Sequence, residues 1–430
     1  MADWIGKAAE MVGGVMVALR RGATPAEQAV GTRPAIPEAR PQRVMTLKMP
    51  TAVGWSGGRT PRAAAGLSVN AFAEGLEHPR WLEVLPNGDV LVAESREQAG
   101  EPESLFDRAK HATMRRASAL GPSANRISLW RDADGDGRAE HRHVFRDGLN
   151  QPFGMALVDG RFYVGNTDGV VAFDYREGAT RLEGPGERLA RFKPGGHWTR
   201  SLLASPDGRR LYAGVGSLTN IADEGMEAEA GRASIWELDL TTGAAREYAT
   251  GLRNAVGLAF EPETGALWTV VNERDGLGDE TPPDYLTSVR EGGFYGWPWC
   301  YWDRVVDDRV PPNPEAVARA ITPDYALGGH TASLGLCWLP EGVLPGYGAG
   351  MVIGQHGSWN RAKLSGYRVI HVPFAGGRPA GPPRDILDGF LSPDEREAWG
   401  RPVGVAVGAD GRSLLVADDV GNAVWRVSGA

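Results

Sequence analysis

A segment that recurs six times along the chain limits the folds that are open to it. Each copy begins with glycine and a polar stretch, continues as an apolar run, turns at Asn, Asp, Pro or Gly, and ends in a second apolar run. The copies begin at Gly75, Gly148, Gly195, Gly251, Gly328 and Gly400. Turn residues that tolerate positive φ between two apolar runs are typical of a β-hairpin. The chain is therefore expected to be built from repeated hairpins.

This repeat predicts an all-β protein, a six-bladed β-propeller. The copies lie roughly 50 to 80 residues apart, which matches propeller blades that carry loop insertions, and radial closure leaves only short sheet edges exposed. A two-domain β-sandwich is the alternative. We assign the propeller to residues 63–430. Residues 1–62 are interpreted as an N-terminal extension, with an amphipathic or targeting segment at Met11–Leu19 and then a linker. The stretch from Leu105 to Ala119 is expected to be a helix or loop inserted in the first blade.

Composition excludes several classes of protein. A formal net charge of -8 argues against a nucleic-acid binder. No apolar run approaches the roughly 18 residues of a membrane span. With two cysteines, Cys300 and Cys337, the chain is not a disulfide scaffold. The sequence is compatible with one disulfide between them and with two free thiols.

Polar residues precede the first apolar run in each copy. In a propeller the inner strand of every blade lines the channel, so these entrance residues reach one rim. They are His78, Arg80, Asn150, Gln151, His197, Arg200, Arg253, Asn254, His330 and Arg401. Each one alone is explained by capping of strand backbone. Together, cations and imidazoles on one rim need an anionic or polar ligand to offset their repulsion. The rim is therefore the predicted ligand site.

Two acidic stretches offer oxygen ligands for a cation. The stretch "VVNERDGLGDETPPDY", from Val270 to Tyr285, follows the fourth hairpin and sets several carboxylates among glycines, which suits Ca²⁺. A solvated acidic loop is the alternative. The stretch "DADGDGRAE" places Asp132, Asp134 and Asp136 at alternate positions. Its last acid comes too early for an EF-hand loop, so a surface turn is expected there, with or without a weakly held Ca²⁺.

The densest polar motif is "GQHGSWNRAKLSGYRV", which begins at Gly354. It offers an imidazole, an indole, an amide and two cations within eight positions. Such a set suits a flat ring that carries several carboxylates, because guanidinium groups bind carboxylates in forked pairs. Neither a dinucleotide nor a P-loop glycine motif is present. The Gly-x-Ser-x-Gly elbow of many serine hydrolases is absent as well.

From about Gly66 to Val427 the chain resembles the soluble quinoprotein sugar dehydrogenases, in particular the L-sorbosone dehydrogenase branch. The stretches "GLNQPFGMAL", "GGHWTRSLLASPDG", "GLRNAVGLAFEPETGALW", "HTASLGLCWLP" and "GQHGSWNR" carry the resemblance. It implies a six-bladed propeller that binds pyrroloquinoline quinone (PQQ) over the channel mouth, with Ca²⁺ polarising the quinone. In the glucose-oxidising relatives a Gly-Pro pair supplies main-chain ligands, where this chain has Asp275-Gly276.

The resemblance also implies roles for particular residues. His197 corresponds to a general base for a sugar hydroxyl, and its ordinary pKa near 6.5 suits that task. Arg253 is the second catalytic candidate. The cofactor-binding candidates are Asn254, Arg200, His330, His356, Asn360, Arg361, Lys363 and Arg401. The metal-binding candidates are Glu273, Asp275, Gly276 and Asp279.

The expected activity is oxidation of an aldose or a sugar aldehyde, of the glucose or sorbosone type, by hydride transfer to PQQ. Electrons then pass to a quinone or cytochrome acceptor, and the expected compartment is the periplasm. The alternatives are a metal-dependent propeller lactonase and a non-catalytic sugar-binding propeller. A lactonase needs carboxylate metal ligands at the channel and has little use for a cluster of arginines, so the cations favour the quinoprotein. The sequence leaves the oligomeric state open.

Overall fold

The computed structural model describes residues 28–42, 46–98 and 105–430. The segment Met11–Leu19 lies outside these residues. Six antiparallel sheets of four main strands follow one another around a central axis, and each hairpin repeat supplies the two inner strands of one sheet. The inner strands of neighbouring sheets contact each other all the way round the ring. The predicted six-bladed β-propeller is confirmed.

Each blade extends from an inner strand beside the channel to an outer strand at the surface. In that order, blade 1 comprises Pro79–Val84, Val90–Glu94, Arg126–Arg131 and His141–Arg146. Blade 2 comprises Met155–Val158, Arg161–Asn166, Gly169–Asp174 and Glu187–Arg191. Blade 3 comprises Leu202–Ala204, Arg210–Val215, Ser234–Asp239 and Ala245–Thr250, with Gly293–Phe294 at its edge.

Blade 4 comprises Ala255–Phe260, Leu267–Val271, Pro283–Ser288 and Tyr325–Gly329, with Val30–Gly31 at its edge. Blade 5 comprises Ser333–Leu339, Gly350–Gln355, Arg368–Ala375 and Arg384–Asp388, with Arg378–Pro379 and Arg62–Ala63 paired to its outer strands. Blade 6 comprises Pro402–Val407, Ser413–Asp418, Ala423–Gly429 and Leu67–Glu74. Two short ribbons pair Thr51–Ala52 with Glu397–Ala398, and Cys300–Tyr301 with Val305–Val306.

The ring closes through blade 6, whose outer strand comes from the beginning of the propeller sequence. Leu67–Glu74 pairs antiparallel with the C-terminal strand, from Gly429 opposite Leu67 to Ala423 opposite Glu74. Closure therefore joins residues from the two ends of the propeller sequence. Apolar clusters between adjacent blades fill the remaining space, and the cluster between blades 6 and 1 includes Phe72, Leu82 and Val424.

Burial follows the position of a strand within its blade. The second strand of blade 4, Leu267–Val271, is buried at every position, whereas most of the outer strand His141–Arg146 of blade 1 is exposed. An inner strand lies between two neighbouring blades and therefore reads as a continuous apolar run, as the repeats predict. Outer strands vary: that of blade 2, Glu187–Arg191, has no buried position, whereas that of blade 4, Tyr325–Gly329, is buried throughout.

In the described part of the chain, two helices lie in insertions between strands. Helix α1, Leu105–Arg116, lies in the loop between the second and third strands of blade 1, where a helix or loop is expected. Helix α2, Pro314–Arg319, begins after Asn313, whose side chain accepts from the amide of Ala316. Cys300 and Cys337 are both free thiols. Among the described residues, no helix is long and apolar enough to span a membrane.

Candidate active site

A cavity of about 450 Å³ opens at one end of the channel, between the strand entrances. Entrance residues from five of the six blades line it, namely His78, Arg80, His197, Arg253, Asn254, His330 and Arg401. The entrance of blade 2 does not, because Gln151 borders a neighbouring groove instead. The structure thus brings together most of the entrance residues, as the propeller geometry predicts.

Two of these entrances carry backbone strain. His78 has φ 59° and His330 has φ 54°, a left-handed conformation that is unfavourable for residues with a Cβ atom. Such residues persist where the surrounding structure holds them, and they cluster at ligand sites. Here both strained residues form part of the cavity wall.

His197 is held in one tautomer. Its Nδ1 lies 2.9 Å from the carbonyl oxygen of Ser217, which can only accept, so Nδ1 carries the proton and Nε2 keeps a lone pair. The ring packs on Gly216, where a Cβ atom would lie 2.6 Å from the Cβ of His197 and 2.4 Å from Oδ1 of Asn254. Glycine at this position therefore allows the imidazole and the amide to lie side by side.

Burial, followed by the nearby Arg253 cation, lowers the pKa of His197 from 6.5 to about 3. This differs from the ordinary value expected from the sequence, because the low-dielectric wall and the guanidinium both disfavour the imidazolium form. His197 is neutral at neutral pH and offers Nε2 as a proton acceptor.

Arg253 joins the loops of blades 3 and 4. Its guanidinium donates to the carbonyl oxygens of Asn220 at 3.2 Å and Glu273 at 2.8 Å, and lies 3.4 Å from a carboxylate oxygen of Asp275. Beside it, Oδ1 of Asn254 is buried without a partner among the described residues. An unpartnered buried oxygen costs free energy unless a ligand binds it, so Asn254 is suited to contact a ligand.

Asp275 is the centre of one cluster on the cavity wall. One carboxylate oxygen accepts from Asn360 at 2.6 Å and lies 3.4 Å from Nδ1 of His330. Burial opposes ionisation, but His330 and Arg253 lower the pKa of Asp275 to about 2. Burial also lowers the pKa of His330, yet the hydrogen bond to Asp275 outweighs it and the pKa is raised overall. We call this set, with Asn220, the Asp275 cluster.

Asp419 is the centre of a second cluster. Its carboxylate forms an ion pair with Arg80, and one oxygen lies 2.8 Å from Nε2 of His356 and 3.3 Å from Nε2 of His78. These cationic and imidazole neighbours hold the pKa of Asp419 well below its ordinary value, against the effect of burial. Arg401 lies alongside and donates to the carbonyl oxygens of His356 and Gly357. We call this set the Asp419 cluster.

Several sequence-predicted residues do not line the cavity. The guanidinium of Arg200 is fully buried and donates to the carbonyl oxygens of Lys193, His197 and Thr199. Arg361 forms an ion pair with Glu280, and Lys363 is exposed. The residues that reach the cavity from these predictions are Arg253, Asn254, His197, His330, His356, Asn360 and Arg401.

The four predicted metal residues do not surround one point. Glu273 and Asp275 line the cavity, and Oε1 of Glu273 is buried without a partner among the described residues. The carbonyl oxygen of Gly276 accepts from the amide of Gln42, and Asp279 accepts from that of Ala362. Within the described ranges, three or more acidic or imidazole ligands come within 4.8 Å only at the exposed turn of Asp132, Asp134, Asp136 and Glu140.

Sequence reasoning missed residues that support or form the wall. Asp419 does not line the cavity itself but holds His78, Arg80 and His356, which do. It follows the second strand of blade 6, the position that the acidic loop takes in blade 4, so the repeat itself carried this signal. The N-terminal extension also contributes, because Leu47, Met49 and Pro50 line the cavity and the amide of Lys48 donates to the carbonyl of Trp359. Nothing in the sequence of the extension indicated this position.

The chain is thus a six-bladed propeller with cationic and imidazole side chains around one end of its channel. The profile of the TrAA12-like family matches residues 127–430, and the chain belongs to that family. The resemblance to quinoprotein sugar dehydrogenases is confirmed by the relatives found for the chain.

Two curated fungal relatives carry the resemblance. A pyranose dehydrogenase of Coprinopsis cinerea, described as PQQ-dependent, is 27% identical over 303 residues, covering 54% of this chain and 40% of that protein. A sugar dehydrogenase of Hypocrea jecorina, also described as PQQ-dependent, is 26% identical over 180 residues, covering 36% of this chain and 42% of that protein. The chain therefore spans less than half the length of either relative.

Solved structures agree on the fold. A Trichoderma reesei protein of carbohydrate-active enzyme family AA12 superposes with a TM-score of 0.69 at 19% identity, over 90% of this chain and 100% of that one. The holo PQQ domain of the Coprinopsis cinerea pyranose dehydrogenase superposes with a TM-score of 0.68 at 20% identity, over 88% and 100%. At these identities the superpositions establish the propeller.

Proposed function

We propose that this protein is a PQQ- and calcium-dependent sugar dehydrogenase that oxidises an aldose or a sugar aldehyde. The observation that carries the proposal is the cavity, in which Nε2 of His197 keeps a lone pair beside several cationic side chains. The PQQ-dependent relatives support the same cofactor and substrate class. The acceptor is proposed to be a quinone or cytochrome, and the compartment the periplasm.

The chemistry of the cavity wall fits PQQ, a flat ring system with three carboxylates. Arg80, Arg253 and Arg401 supply positive charge, and the unpartnered Oδ1 of Asn254 supplies a hydrogen-bond acceptor. The candidates that would hold the cofactor are Asn254, His330, His356, Asn360 and Arg401. Guanidinium groups bind carboxylates through charge-assisted hydrogen bonds. Arg200, Arg361 and Lys363 lie outside the cavity and are not part of this proposal.

Calcium fits two of the four metal candidates. Glu273 and Asp275 both line the cavity, and burial raises the pKa of Glu273 to about 7 because its charge is poorly compensated. A hard cation would compensate a buried carboxylate and attract further oxygen ligands. Gly276 and Asp279 are engaged elsewhere, so we restrict the proposed calcium ligands to Glu273 and Asp275.

The proposed reaction divides its work between cofactor and protein. When bound, PQQ would accept one hydride, which carries the two electrons of the oxidation, and calcium would supply Lewis-acid polarisation. His197 accepts at Nε2 the proton of the hydroxyl group on the reacting carbon of the sugar. The hydride leaves from that carbon, so an aldose becomes its lactone. Arg253 places a fixed positive charge beside the reacting atoms, where negative charge develops. Ser217 keeps the imidazole oriented throughout.

The test uses purified protein freed of PQQ and metal, with glucose and sorbosone as substrates and an artificial dye as acceptor. Dye reduction is expected only when PQQ and Ca²⁺ are both added. His197→Ala is expected to lose about 10² to 10⁴ of the rate, the range typical of a general base. His141→Ala, at an exposed position on blade 1, is the matched control and is expected to keep the rate.

Four results contradict the proposal. Dye reduction without PQQ would contradict the assignment of PQQ as the cofactor. An unchanged rate in His197→Ala would contradict the assignment of His197 as the base. Lactone hydrolysis without dye reduction points instead to a metal-dependent lactonase. Sugar binding with neither reaction points to a non-catalytic sugar-binding propeller.

A further inference from the structure

A second concave surface adjoins the cavity. It is a groove of about 600 Å³, and we call it the Trp198 groove. It shares Glu97, Met114, Gly196 and Trp198 with the cavity wall. Gly196 and Trp198, the residues on either side of His197 in the chain, line both spaces, whereas His197 lines the cavity. A ligand that extends beyond His197 on this side enters the groove.

The indole of Trp198 is held in a fixed orientation. Its ring contacts Phe153 edge to face with centroids 6.0 Å apart, and the guanidinium of Arg80 lies 5.5 Å from its centroid. Trp198 remains partly exposed, so its ring offers an apolar surface to both spaces. Packed aromatic rings of this kind present contact area at little cost in conformational entropy.

The rest of the groove combines apolar surface with uncharged polar groups. Met114, Leu120 and Pro194 extend the apolar surface. Thr167 lines the groove, and its hydroxyl is buried without a hydrogen-bond partner in the described part of the chain. The same holds for Nδ1 of His111 on helix α1. These unused groups are available to a ligand that carries hydroxyls.

The groove differs from the cavity in charge. No lysine or arginine is present among its described lining residues, whereas three arginines line the cavity. An anionic ligand has no partner in the groove, and a purely apolar ligand leaves the hydroxyl of Thr167 unsatisfied. A pyranose ring has an apolar C–H face and a rim of hydroxyls, and therefore matches both kinds of surface.

We propose that the Trp198 groove binds the second sugar unit of a disaccharide or longer oligosaccharide whose reacting unit lies beside His197. This rests on the proposed function for the reacting unit. Helix α1 and the loop before blade 3 both contribute to the lining of the groove, so these two segments set how a substrate is selected by length.

The binding test uses the full chain without PQQ, so that no turnover occurs. Dissociation constants are measured by ligand-observed NMR for methyl β-cellobioside, methyl α-maltoside and methyl β-glucoside. At least one disaccharide is expected to bind about tenfold more tightly than the glucoside, a gain equivalent to one or two good contacts. Equal constants for all three compounds would overturn the proposal.

Pro194→Trp fills the groove from an exposed position, and Lys193→Trp adds the same side chain to the preceding exposed residue, which does not line the groove. The disaccharide preference is expected to disappear in Pro194→Trp and to persist in Lys193→Trp. Thr167→Val removes the unpartnered hydroxyl at nearly constant volume and is expected to reduce the preference. A preference unchanged in both Pro194→Trp and Thr167→Val contradicts the groove as its origin.

The activity test separates the two proposals. In PQQ-loaded enzyme, the ratio of kcat/KM for cellobiose or maltose to kcat/KM for glucose is expected to fall about tenfold in Pro194→Trp but not in Lys193→Trp. Dye reduction with an unchanged ratio overturns the groove and leaves the sugar dehydrogenase standing. Absence of dye reduction with any sugar, together with a binding preference that Pro194→Trp removes, overturns the dehydrogenase and leaves the groove standing.

Discussion

The Asp275 cluster and the Asp419 cluster lie on one cavity and pair a carboxylate with imidazole and guanidinium groups, yet their imidazoles respond in opposite directions. The pKa of His330 beside Asp275 is raised, whereas burial lowers the pKa of His78 to about 3 and that of His356 to about 4 beside Asp419. A neighbouring carboxylate therefore does not by itself decide the charge of a histidine.

Burial lowers the pKa of all three imidazoles, and the other neighbours then separate them. Arg80 lowers the pKa of His78 further, and Arg401 that of His356, whereas Asp275, the carbonyl of Gly278 and Asp284 all raise that of His330. Arg253 directs its donors to main-chain carbonyl oxygens and stays 3.4 Å from Asp275, which leaves that charge available to His330. Asp419 thus serves a closed structural network, whereas Asp275, although His330 and Arg253 stabilise its charge, lines the cavity and stays open to a ligand there.

The largest expected effect is on the free energy of unfolding, which should differ between variants of the two clusters. Asp419→Asn leaves Arg80 buried without its ion partner and is expected to cost about 3 to 5 kcal/mol of unfolding free energy. Asp275→Asn is expected to cost less, because Arg253 keeps its contacts to the carbonyl oxygens of Asn220 and Glu273. Denaturant unfolding measures both values.

Asp385→Asn is the control for loss of a carboxylate at the surface. Its partner Arg368 lies 3.1 Å away and both side chains are partly exposed, so the expected cost is about 0 to 1 kcal/mol. Equal losses for Asp419→Asn and Asp275→Asn would remove the distinction between a closed and an open cluster.

The second effect concerns metal binding. Calcium is expected to raise the thermal midpoint of the PQQ-free protein, because a ligand at 100 times its dissociation constant stabilises the folded state by about 2.7 kcal/mol. Asp275→Asn is expected to abolish the shift, and Asp419→Asn to retain it from a lower starting midpoint. Differential scanning fluorimetry with and without Ca²⁺ checks this.

Asp134→Asn at the exposed acidic turn is the matched control, since that turn is the other acidic group able to approach a cation in the described residues. Retention of the shift in Asp275→Asn together with its loss in Asp134→Asn would place the calcium at the turn and not at the cavity.

The smallest effect is the pH dependence of the Asp419 cluster. His78 faces Asp419, Arg80, Arg96 and His356, and His356 also faces Arg401. Because both folded pKa values lie below the ordinary 6.5, the unfolded chain binds protons first as the pH falls. The contribution of these two imidazoles to the free energy of unfolding is fully present above about pH 6.5. Below that pH the free energy of unfolding declines by up to about 1.4 kcal/mol per pH unit for each imidazole.

Unfolding free energies measured between pH 8 and about pH 5.5, where ordinary carboxylates stay largely ionised, give the slope. His78→Asn is expected to reduce it, and His143→Asn, at an exposed position on blade 1, is expected to leave it unchanged. A slope that His143→Asn and His78→Asn alter equally would show that the cluster does not control it.

The repeat predicted more of the site than single motifs did. Because each hairpin begins at the same rim, His197, Arg253, Asn254, His330 and Arg401 could be assigned to one cavity before any side chain was located. The same repeat logic extends to Asp419, since it follows the second strand of blade 6. The symmetry of the fold puts the backbone at the start of each inner strand on the same rim, and this holds for every blade.

Motif density was a weaker guide. Arg361 and Lys363 of the densest polar motif do not line the cavity, and neither does Arg200, which the repeat had placed at the entrance of blade 3. In an irregular loop the direction of a side chain depends on the acceptors that surround it, and Arg200 finds three main-chain carbonyls on the buried side. The spacing of residues in the sequence does not show where those acceptors lie, so it could not predict the direction of the Arg200 side chain.

The propeller, the number of its blades and the rim at which polar residues meet could all be read from the sequence, because hydrophobic periodicity and turn chemistry act locally and repeat. The pairing of each guanidinium with its carboxylate could not, nor could the contribution of the N-terminal extension and helix α1 to the cavity wall. Those contacts join residues far apart in the chain, so their geometry and the resulting pKa values exist only after the ring has closed.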